Sequence, residues 1–175
     1  MKIKIVPLSK SNLDETTKMV LHSYDTAESD FDYIPRWLNA SLAPEKNKEL
    51  YKEFKCTWLK YWVGVEEETN KVVGMIGLYT TKEDEKDAYW VGWFVVDKDK
   101  RRQGIGKQLM SLDIEKTKKD GKNYLRLYTS GDDAERAANL MYDKLGFVEM
   151  KNELYGKKHR LGKINYKEFK ISNKS

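Results

Sequence analysis

The chain is poor in the residues that build disulfides and zinc sites. Its 175 residues include one cysteine, Cys56, and two histidines, His22 and His159. A single cysteine cannot form an internal disulfide, and these three residues lack the spacing of a zinc site. We therefore expect neither a structural metal nor thiol redox chemistry.

Long apolar runs are absent as well. No stretch approaches the roughly 18 residues that a membrane span requires, and the first ten residues lack the apolar core of a secretory signal. With 39% apolar and 35% charged residues, the composition is typical of a packed globular protein. We expect one cytosolic domain over residues 1–175 and no membrane partner, because a chain of this length most simply forms one core.

Basic residues are concentrated near the C-terminus. Residues 151–175 carry eight lysines and arginines against two glutamates, a local balance of +6, while the whole chain carries +5. Such a segment can bind nucleic acid, but lysines also keep edge strands soluble and unpaired. Neither stacking aromatics nor a docking helix is clear within the segment, so nucleic acid is the less favoured partner.

Hydrophobic periodicity and turn residues predict the element order βααβββαβαββ. Strands are predicted at residues 2–6, 58–66, 72–80, 89–96, 124–129, 147–154 and 165–171. The second and third strands should form a hairpin through the polar residues 67–71. The strand at 89–96 is the most apolar run in the chain and should lie at the centre of the sheet.

Four helices complete this order. They are predicted after a cap at Ser11 or Asn12, from Pro44 to about Thr57, over residues 104–120 before Gly121, and from a cap at Asp132 to Leu145 before Gly146. The apolar face of the fourth helix is predicted to hold Ala137, Leu140, Met141 and Leu145. Residues 23–41 have no regular apolar pattern and contain Pro35, so they are predicted to form a loop with short helical turns.

The junction at residues 94–107, where a strand meets a helix, carries the strongest chemical signal. Gly104 and Gly106 flank the predicted helix start, where free backbone amides and the helix dipole favour a bound anion. Positive charge beside the glycines comes from Arg101, Arg102 and Lys107. The expected ligand therefore bears phosphate, although glycines also occur at such junctions only to make the turn.

Two known phosphate motifs do not fit this junction. The P-loop needs a glycine where the chain has Arg101, and a serine or threonine where it has Gln108. The dinucleotide fingerprint needs a third glycine where the chain has Leu109. Both nucleotide-binding classes are therefore excluded.

The pattern Arg101-x-x-Gly104-x-Gly106, after a strand that ends in Val-Val-Asp, resembles motif A of the GNAT superfamily of N-acetyltransferases. Further along, residues 138–147 resemble the superfamily's second signature, a helix that bears a tyrosine and ends in Gly-Phe. The resemblance covers nearly the whole chain. It implies an α/β fold with a mixed, mostly antiparallel sheet of about seven strands and about four helices. The strands at 89–96 and 124–129 should splay apart to admit the cofactor.

Members of this superfamily bind acetyl-CoA at motif A, so the resemblance implies acetyl-CoA as cosubstrate. Loop amides and charges at residues 102–107 would hold the pyrophosphate, and the backbone of Phe94 and Val96 would bind the pantetheine arm as an added strand does. The predicted cofactor-binding residues are Phe94, Val95, Val96, Arg101, Arg102, Gln103, Gly104, Ile105, Gly106, Lys107 and Asn139.

Tyr142 is the predicted catalytic residue. The family tyrosine that matches this position lies near the thioester sulfur and often protonates the departing thiolate. A phenol with a pKa of about 10 can hydrogen-bond or protonate a thiolate whose conjugate thiol has a pKa of about 8.5. The structural alternative is an aromatic residue packed at the edge of the core.

The chain departs from the family pattern at two positions. Glu135 stands where many relatives carry an asparagine, and Trp90 stands where many carry a glutamate that acts as general base. The base is therefore unassigned. The loops offer candidates, each of which also reads as a solvated surface charge: Glu28, Asp30, Asp32 and Glu83. Cys56, predicted inside a helix, is not expected to be a nucleophile, so the amine should attack the thioester directly.

By the same resemblance, the acceptor enters between residues 24–37 and residues 155–162. The first segment combines acids with aromatics, which suits a cationic amine, and the second is basic and could favour an acidic group. Both segments could also simply close one end of the core. We expect a small-molecule amine or amino acid as acceptor, and a protein amine stays open, as does a homodimer. Two other functions stay open: a CoA-binding module without catalysis, and a basic nucleic-acid-binding protein.

Overall fold

Alternating apolar residues build a sheet of eight strands in the parts of the chain that the computed structural model describes, residues 1–23, 33–130, 135–150 and 164–171. The strands are β1 Ile3–Pro7, β2 Cys56–Glu66, β3 Val72–Thr81, β4 Ala88–Val91, β5 Val95–Val96, β6 Tyr124–Ser130, β7 Val148–Glu149 and β8 Ile164–Lys170. The helices are α1 Leu13–Ser23, α2 Tyr33–Leu42, α3 Lys48–Glu53, α4 Ile105–Lys119 and α5 Arg136–Leu145.

The spatial order of the strands is β1-β2-β3-β4-β6-β8-β7, and β5 pairs with β3. Each of these pairs is antiparallel except β4 with β6, which is parallel. The mixed, mostly antiparallel sheet is therefore confirmed. The predicted hairpin of β2 and β3 is also confirmed, and Asn70 in its turn has a φ of 56°.

Helices cover both faces of the sheet. On one face, α4 and α5 pack on a core that includes Trp62, Ile76, Leu78, Leu125, Leu127 and Phe147. On the other face, α1 and α2 pack on a second core that includes Leu59, Tyr61, Val63, Met75 and Val95. Among the described helices, none is both long enough and apolar enough to cross a membrane.

Residues 33–42 form a helix, so the prediction of a loop over 23–41 was wrong for its second half. Ile34 and Leu38 lie four residues apart on one face of α2, and both are buried. Pro35 falls in the first turn, where a missing amide hydrogen leaves no helical hydrogen bond unmade. Pro35 is therefore compatible with the start of α2, in a stretch whose irregular pattern had predicted a loop.

The helix predicted from Pro44 to about Thr57 is shorter than expected. A 3-10 turn at Pro44–Lys46 precedes α3, and β2 already begins at Cys56. Lys55 has a φ of 53°, which ends the helical path, and Cys56 pairs with Thr81 of β3. Placing Cys56 in a helix was therefore wrong, because pairing with β3 extends the strand.

The last predicted helix, α5, ends as expected and buries only part of the predicted face. Gly146 terminates it with a φ of 94°. Of the predicted apolar face, Met141 and Leu145 are half-buried against the core beneath α5, whereas Leu140 is 56% exposed and Ala137 is exposed. Tyr142, which was not part of the predicted face, is buried. The expected cap, Asp132, lies outside the described residues, and the helix begins after Glu135. The buried face of α5 therefore comprises Tyr142 with Met141 and Leu145, and Leu140 lies outside it.

Candidate functional site

A β-bulge interrupts the strand predicted at residues 89–96. Both β4 and β5 pair with β3, but in registers that differ by one residue. Between the pairs Leu78–Val91 and Met75–Val95, three residues, 92–94, lie opposite two residues of β3. A bulge bends its strand and re-aims the neighbouring side chains, and bulges are frequent beside active sites.

The sheet opens beyond this bulge. Pairing between β4 and β6 runs from Ala88–Tyr124 to Trp90–Arg126. Past Arg126, β6 continues along β8 as far as Ser130, while β5 stays with β3. Within the described residues a gap therefore separates β5 from the last four residues of β6. This is the predicted splay of the two central strands, and we refer to it as the central gap.

Helix α4 begins beside this gap with an uncapped first turn. Its N-cap is Gly104, which has a φ of 80° and offers no side chain to the helix amides. The first intrahelical bond here runs from the Gln108 amide to the Gly104 carbonyl at 3.2 Å, so the amides of residues 105–107 precede the helix ladder. Arg102 and Lys107 are exposed beside this turn. Free amides, the helix dipole and two cations together favour a phosphate group.

Gly106 brings α4 close to both β5 and α5. A Cβ atom at this position would lie 3.2 Å from the Phe94 ring, 3.5 Å from the Met141 sulfur and 3.6 Å from a Val96 methyl group. Any larger residue would push into the floor of the central gap. The glycine that the sequence motif requires is therefore also required by the packing of three elements.

The backbone of β5 has one side available to a ligand. Asp97 donates its amide hydrogen to the Val73 carbonyl at 3.0 Å, and Val95 is the partner of Met75. Because backbone groups alternate in direction along a strand, the amide of Val96 points away from β3 toward the gap. The predicted role of this backbone in holding a pantetheine arm stays a prediction. Val95 itself packs its side chain into the second core.

Arg101 turns away from the start of α4. Its guanidinium donates to the Ser23 carbonyl at 3.0 Å and to the Val96 carbonyl at 3.4 Å, so it joins the end of α1 to β5. Nearby, the His22 Nε2 atom and an Asp99 carboxylate oxygen are hydrogen-bonded at 2.8 Å, and this hydrogen bond lowers the pKa of Asp99. The cofactor contact predicted for Arg101 stays a prediction, and its observed role is to fix the loop before α4.

Tyr142 lies at the floor of the gap. Its ring centroid is 6.5 Å from that of Phe94 and 5.8 Å from that of Phe147, and the residue is 7% exposed. Because Phe94 also contacts the position of Gly106, the structure joins the two sequence motifs at one place. Tyr142 therefore packs at the edge of the core and also lies beside the gap, so its position fits both the structural and the catalytic interpretation.

The end of β6 is tied to the start of α5 by two polar residues. Glu135 accepts hydrogen bonds from the Ser130 amide at 2.9 Å and from the Thr129 hydroxyl, so this departure from the family pattern has a structural role. Asn139 donates to the Ser130 carbonyl at 3.0 Å. Its own side-chain oxygen is buried without a hydrogen-bond partner among the described residues. A ligand amide at the edge of the gap would satisfy it.

The position where relatives carry a glutamate base is occupied by a buried tryptophan. The Trp90 indole donates to Asp84 at 2.6 Å, and Asp84 also accepts from Arg126. Of the candidate bases from the loops, Glu83 is fully exposed, and a hydrogen bond from its own backbone amide lowers its pKa, which weakens it as a base. The other three candidates, the loop at 155–162 and His159 lie outside the described residues.

Sequence reasoning missed a group of tyrosines on the face of the sheet opposite α4. Four of them approach one another around the bulge: Tyr61, Tyr79, Tyr128 and Tyr166. They come from four different strands, so no local motif connects them. A detectable signal was the alternation in β6, where Tyr124, Arg126 and Tyr128 fall on one face and Leu125 and Leu127 on the other.

Comparisons with known proteins agree with this geometry. The family profile described as an acetyltransferase (GNAT) domain matches residues 57–149. No sequence among the curated proteins matches the chain.

Solved structures resemble the fold along nearly its full length. A putative GNAT-family acetyltransferase from Desulfovibrio desulfuricans superimposes with a TM-score of 0.73 at 12% identity, covering 98% of this chain and 100% of its own. The PaiA N-acetyltransferase from Thermoplasma acidophilum, solved in complex with coenzyme A, gives 0.65 at 20% identity, covering 97% and 99%. The ribosomal-protein-S18-alanine N-acetyltransferase from Escherichia coli gives 0.67 at 17%, covering 99% and 97%. At these identities the likeness shows the fold.

Proposed function

Because the chain belongs to the GNAT acetyltransferase family, we propose that it transfers an acetyl group from acetyl-CoA to a primary amine by direct attack in a ternary complex. The observation that carries the proposal is the central gap, which opens beside the free amides of α4 and has Tyr142 at its floor. The gap therefore offers three groups in sequence: the amides at the start of α4 for a phosphate, the free edge of β5 for an extended chain, and the phenol of Tyr142 as an acid.

The residues of this path fit the parts of coenzyme A in order. The amides of residues 105–107, with Arg102 and Lys107, suit the pyrophosphate. The Val96 amide and the unpartnered oxygen of Asn139 suit the amide groups of the pantetheine arm. The coenzyme A complex of the Thermoplasma protein supports this assignment by analogy of fold.

Chemistry then needs two proton movements. The neutral amine attacks the thioester carbonyl, a C–N bond forms, and the C–S bond breaks. Tyr142 donates its phenolic proton to the departing thiolate, and the phenolate is later reprotonated from solvent. The nitrogen becomes positively charged when the C–N bond forms, so it must lose a proton to water or to a base to give the neutral amide. An acceptor that arrives as an ammonium ion loses one proton earlier, because an amine is a nucleophile only in its neutral form.

A covalent route through the lone cysteine is disfavoured. Cys56 is buried at the start of β2, and burial raises the pKa of its thiol to about 11. A thiol with this pKa is almost entirely protonated at neutral pH, and the thiolate is the form that reacts. We therefore assign no acetyl-cysteine intermediate.

One experiment tests the proposal. Calorimetry with coenzyme A should show saturable binding, and thiol release from acetyl-CoA should depend on an added amine. Absence of binding by the protein with its native secondary structure would refute the proposal.

The second candidate is a coenzyme A-binding module without catalysis. Trp90 favours it, because it occupies the position of the usual base, and its partner Asp84 is paired with Arg126. This candidate predicts binding with no amine-dependent thiol release. Turnover that falls sharply in Tyr142→Phe would exclude it.

A further inference from the structure

Four aromatic rings form a continuous surface on the face of the sheet opposite α4. The ring centroids are 6.4 Å apart for Tyr79 and Trp90, 6.1 Å for Trp90 and Tyr166, and 6.4 Å for Tyr166 and Tyr128. These residues come from β3, β4, β8 and β6. We call them the aromatic wall.

The wall borders the central gap. Tyr128 lies on the part of β6 that has parted from β4, and it is paired with Tyr166. Next to the wall, the Tyr61 hydroxyl bonds to the backbone of Trp93 within the bulge, and it lies 3.4 Å from where a Cβ of Gly92 would be. The wall therefore faces the bulge from the side opposite α4 and α5.

Tyr128 presents its ring to solvent at one end of the wall. The side chain is 55% exposed. Even so, the surrounding protein raises the pKa of its hydroxyl, first through burial and then through the neighbouring Tyr166 and Glu135. A ring that is open to solvent beside other aromatic rings can contact a small ligand.

Charge around the wall favours a cation. Trp90 bonds to Asp84, and Arg126 on the same face is bonded to three carboxylates, those of Asp84, Asp87 and Glu168. One guanidinium thus faces three carboxylates, and Glu135 lies near Tyr128. Aromatic faces with excess negative charge attract an ammonium group and repel a carboxylate.

We propose that the aromatic wall binds the acceptor, and that the acceptor is a small amine with an aryl or alkyl body and no carboxylate. The inference rests on the proposed acetyltransferase function and names its substrate class. The cationic amine reaches the wall from solvent, its hydrocarbon body lies on Tyr128 and Tyr166, and its nitrogen points toward the bulge. Deprotonation follows before attack.

A matched pair of acceptors tests this directly. Phenethylamine and phenylalanine share the same body and differ by one carboxylate. We expect kcat/KM for phenethylamine to exceed that for phenylalanine by at least tenfold, in thiol-release assays with saturating acetyl-CoA. Preference for phenylalanine, or for a short peptide with a free N-terminus included in the same panel, would overturn the inference.

Substitutions at Tyr128 separate the ring from its hydroxyl. Tyr128→Phe keeps the aromatic face and should change the KM for phenethylamine less than threefold, whereas Tyr128→Leu should raise it at least tenfold. The Kd for coenzyme A should be unchanged in both variants. Tyr51→Leu, on α3 and outside the four residues of the wall, is the control for loss of a tyrosine. Equal KM values for Tyr128→Leu and the original protein would overturn the inference.

A direct measurement of phenethylamine binding distinguishes failure of the wall proposal from failure of the proposed acetyltransferase function. If coenzyme A binds but no amine is acetylated, saturation-transfer NMR of phenethylamine with the coenzyme A complex replaces the assay. Contact signals that are lost in Tyr128→Leu support the wall, and no signal with the original protein overturns it. If coenzyme A itself does not bind, the proposed function fails first.

Discussion

At the scale of single residues, Tyr142 is the position where packing and chemistry can be separated. We expect Tyr142→Phe to lower kcat by about 100-fold or more, because the ring keeps its contacts with Phe94 and Phe147 while the acidic proton is lost. Steady-state assays and coenzyme A calorimetry would show reduced kcat with an unchanged Kd. Tyr124→Phe, on β6 outside the gap, is the matched control. Unchanged kcat in Tyr142→Phe would leave this residue a structural role only.

Asp113 is an acidic residue that lies in the apolar core beneath α4. It is fully buried in α4, and neither carboxylate oxygen has a hydrogen-bond partner among the described residues. Burial therefore raises the pKa of Asp113 well above its ordinary value of 3.8. The folded protein keeps a proton here that the unfolded chain releases.

This proton makes the free energy of unfolding depend on pH. Below pH 3.8, Asp113 is protonated in both the folded and the unfolded chain, and its contribution to the free energy of unfolding is most favourable. As pH rises from 3.8 toward the folded pKa, only the unfolded chain releases this proton. The release stabilises the unfolded chain, so the contribution of Asp113 is lost. We expect the stability of Asp113→Asn relative to the original protein to increase from pH 5 toward neutral pH, by up to about 1.4 kcal/mol per pH unit. Urea denaturation at several pH values measures it. Parallel stability curves would contradict the assignment.

At the scale of elements, the start of α4 can be tested by a single methyl group. Gly106→Ala places a Cβ 3.2 Å from the Phe94 ring, which must shift into the central gap. We expect coenzyme A affinity to fall about tenfold. We expect the variant to fold, because alanine inside a helix is more stable than glycine by about 0.5–1 kcal/mol, and this gain offsets part of the cost of the clash.

The other end of α4 supplies the control for this variant. Gly121 has a φ of 72°, and a Cβ there meets open space. Gly121→Ala should therefore cost about 1–2 kcal/mol of stability from backbone strain while leaving coenzyme A affinity unchanged. Calorimetry and thermal denaturation on both variants give the two readouts. Equal losses of affinity would show that Gly106 has no special place at the gap.

At the scale of the whole molecule, a ligand in the central gap lies between β5 and the end of β6, two strands that do not pair with each other. Coenzyme A at 100 times its Kd should stabilise the fold by about 2.7 kcal/mol. In a chain of this size that raises Tm by roughly 5–10 °C. Sodium chloride should reduce the shift, because exposed cations such as Arg102 and Lys107 are screened. No shift at any coenzyme A concentration would contradict binding in the gap.

Most of the fold could be predicted from patterns within short stretches. The hairpin of β2 and β3, both ends of α4 and the end of α5 at Gly146 followed from alternation, apolar spacing and glycines. Helix α2 was missed because residues 23–41 have no regular apolar pattern and contain Pro35, although a proline in the first turn of a helix costs no hydrogen bond. The start of β2 was missed because Cys56 is a strand residue only through its pairing with β3.

The candidate site divides in the same way. Gly104, Gly106 and Tyr142 were identified because their motifs are local in sequence. The aromatic wall was not, since its rings come from four strands that meet only in the sheet. Asp113 gave no signal either, because its burial depends on the packing of α4.

By itself, the sequence determined the family motifs, most of the order of elements and the phosphate chemistry expected at α4, because helix ends and strand periods are properties of adjacent residues. Only the tertiary structure decided that β4 and β6 part after Arg126, that Arg101 joins α1 to β5, and that the wall lies beside the bulge. Those features arise from strand register and long-range packing, which no single stretch of the chain contains.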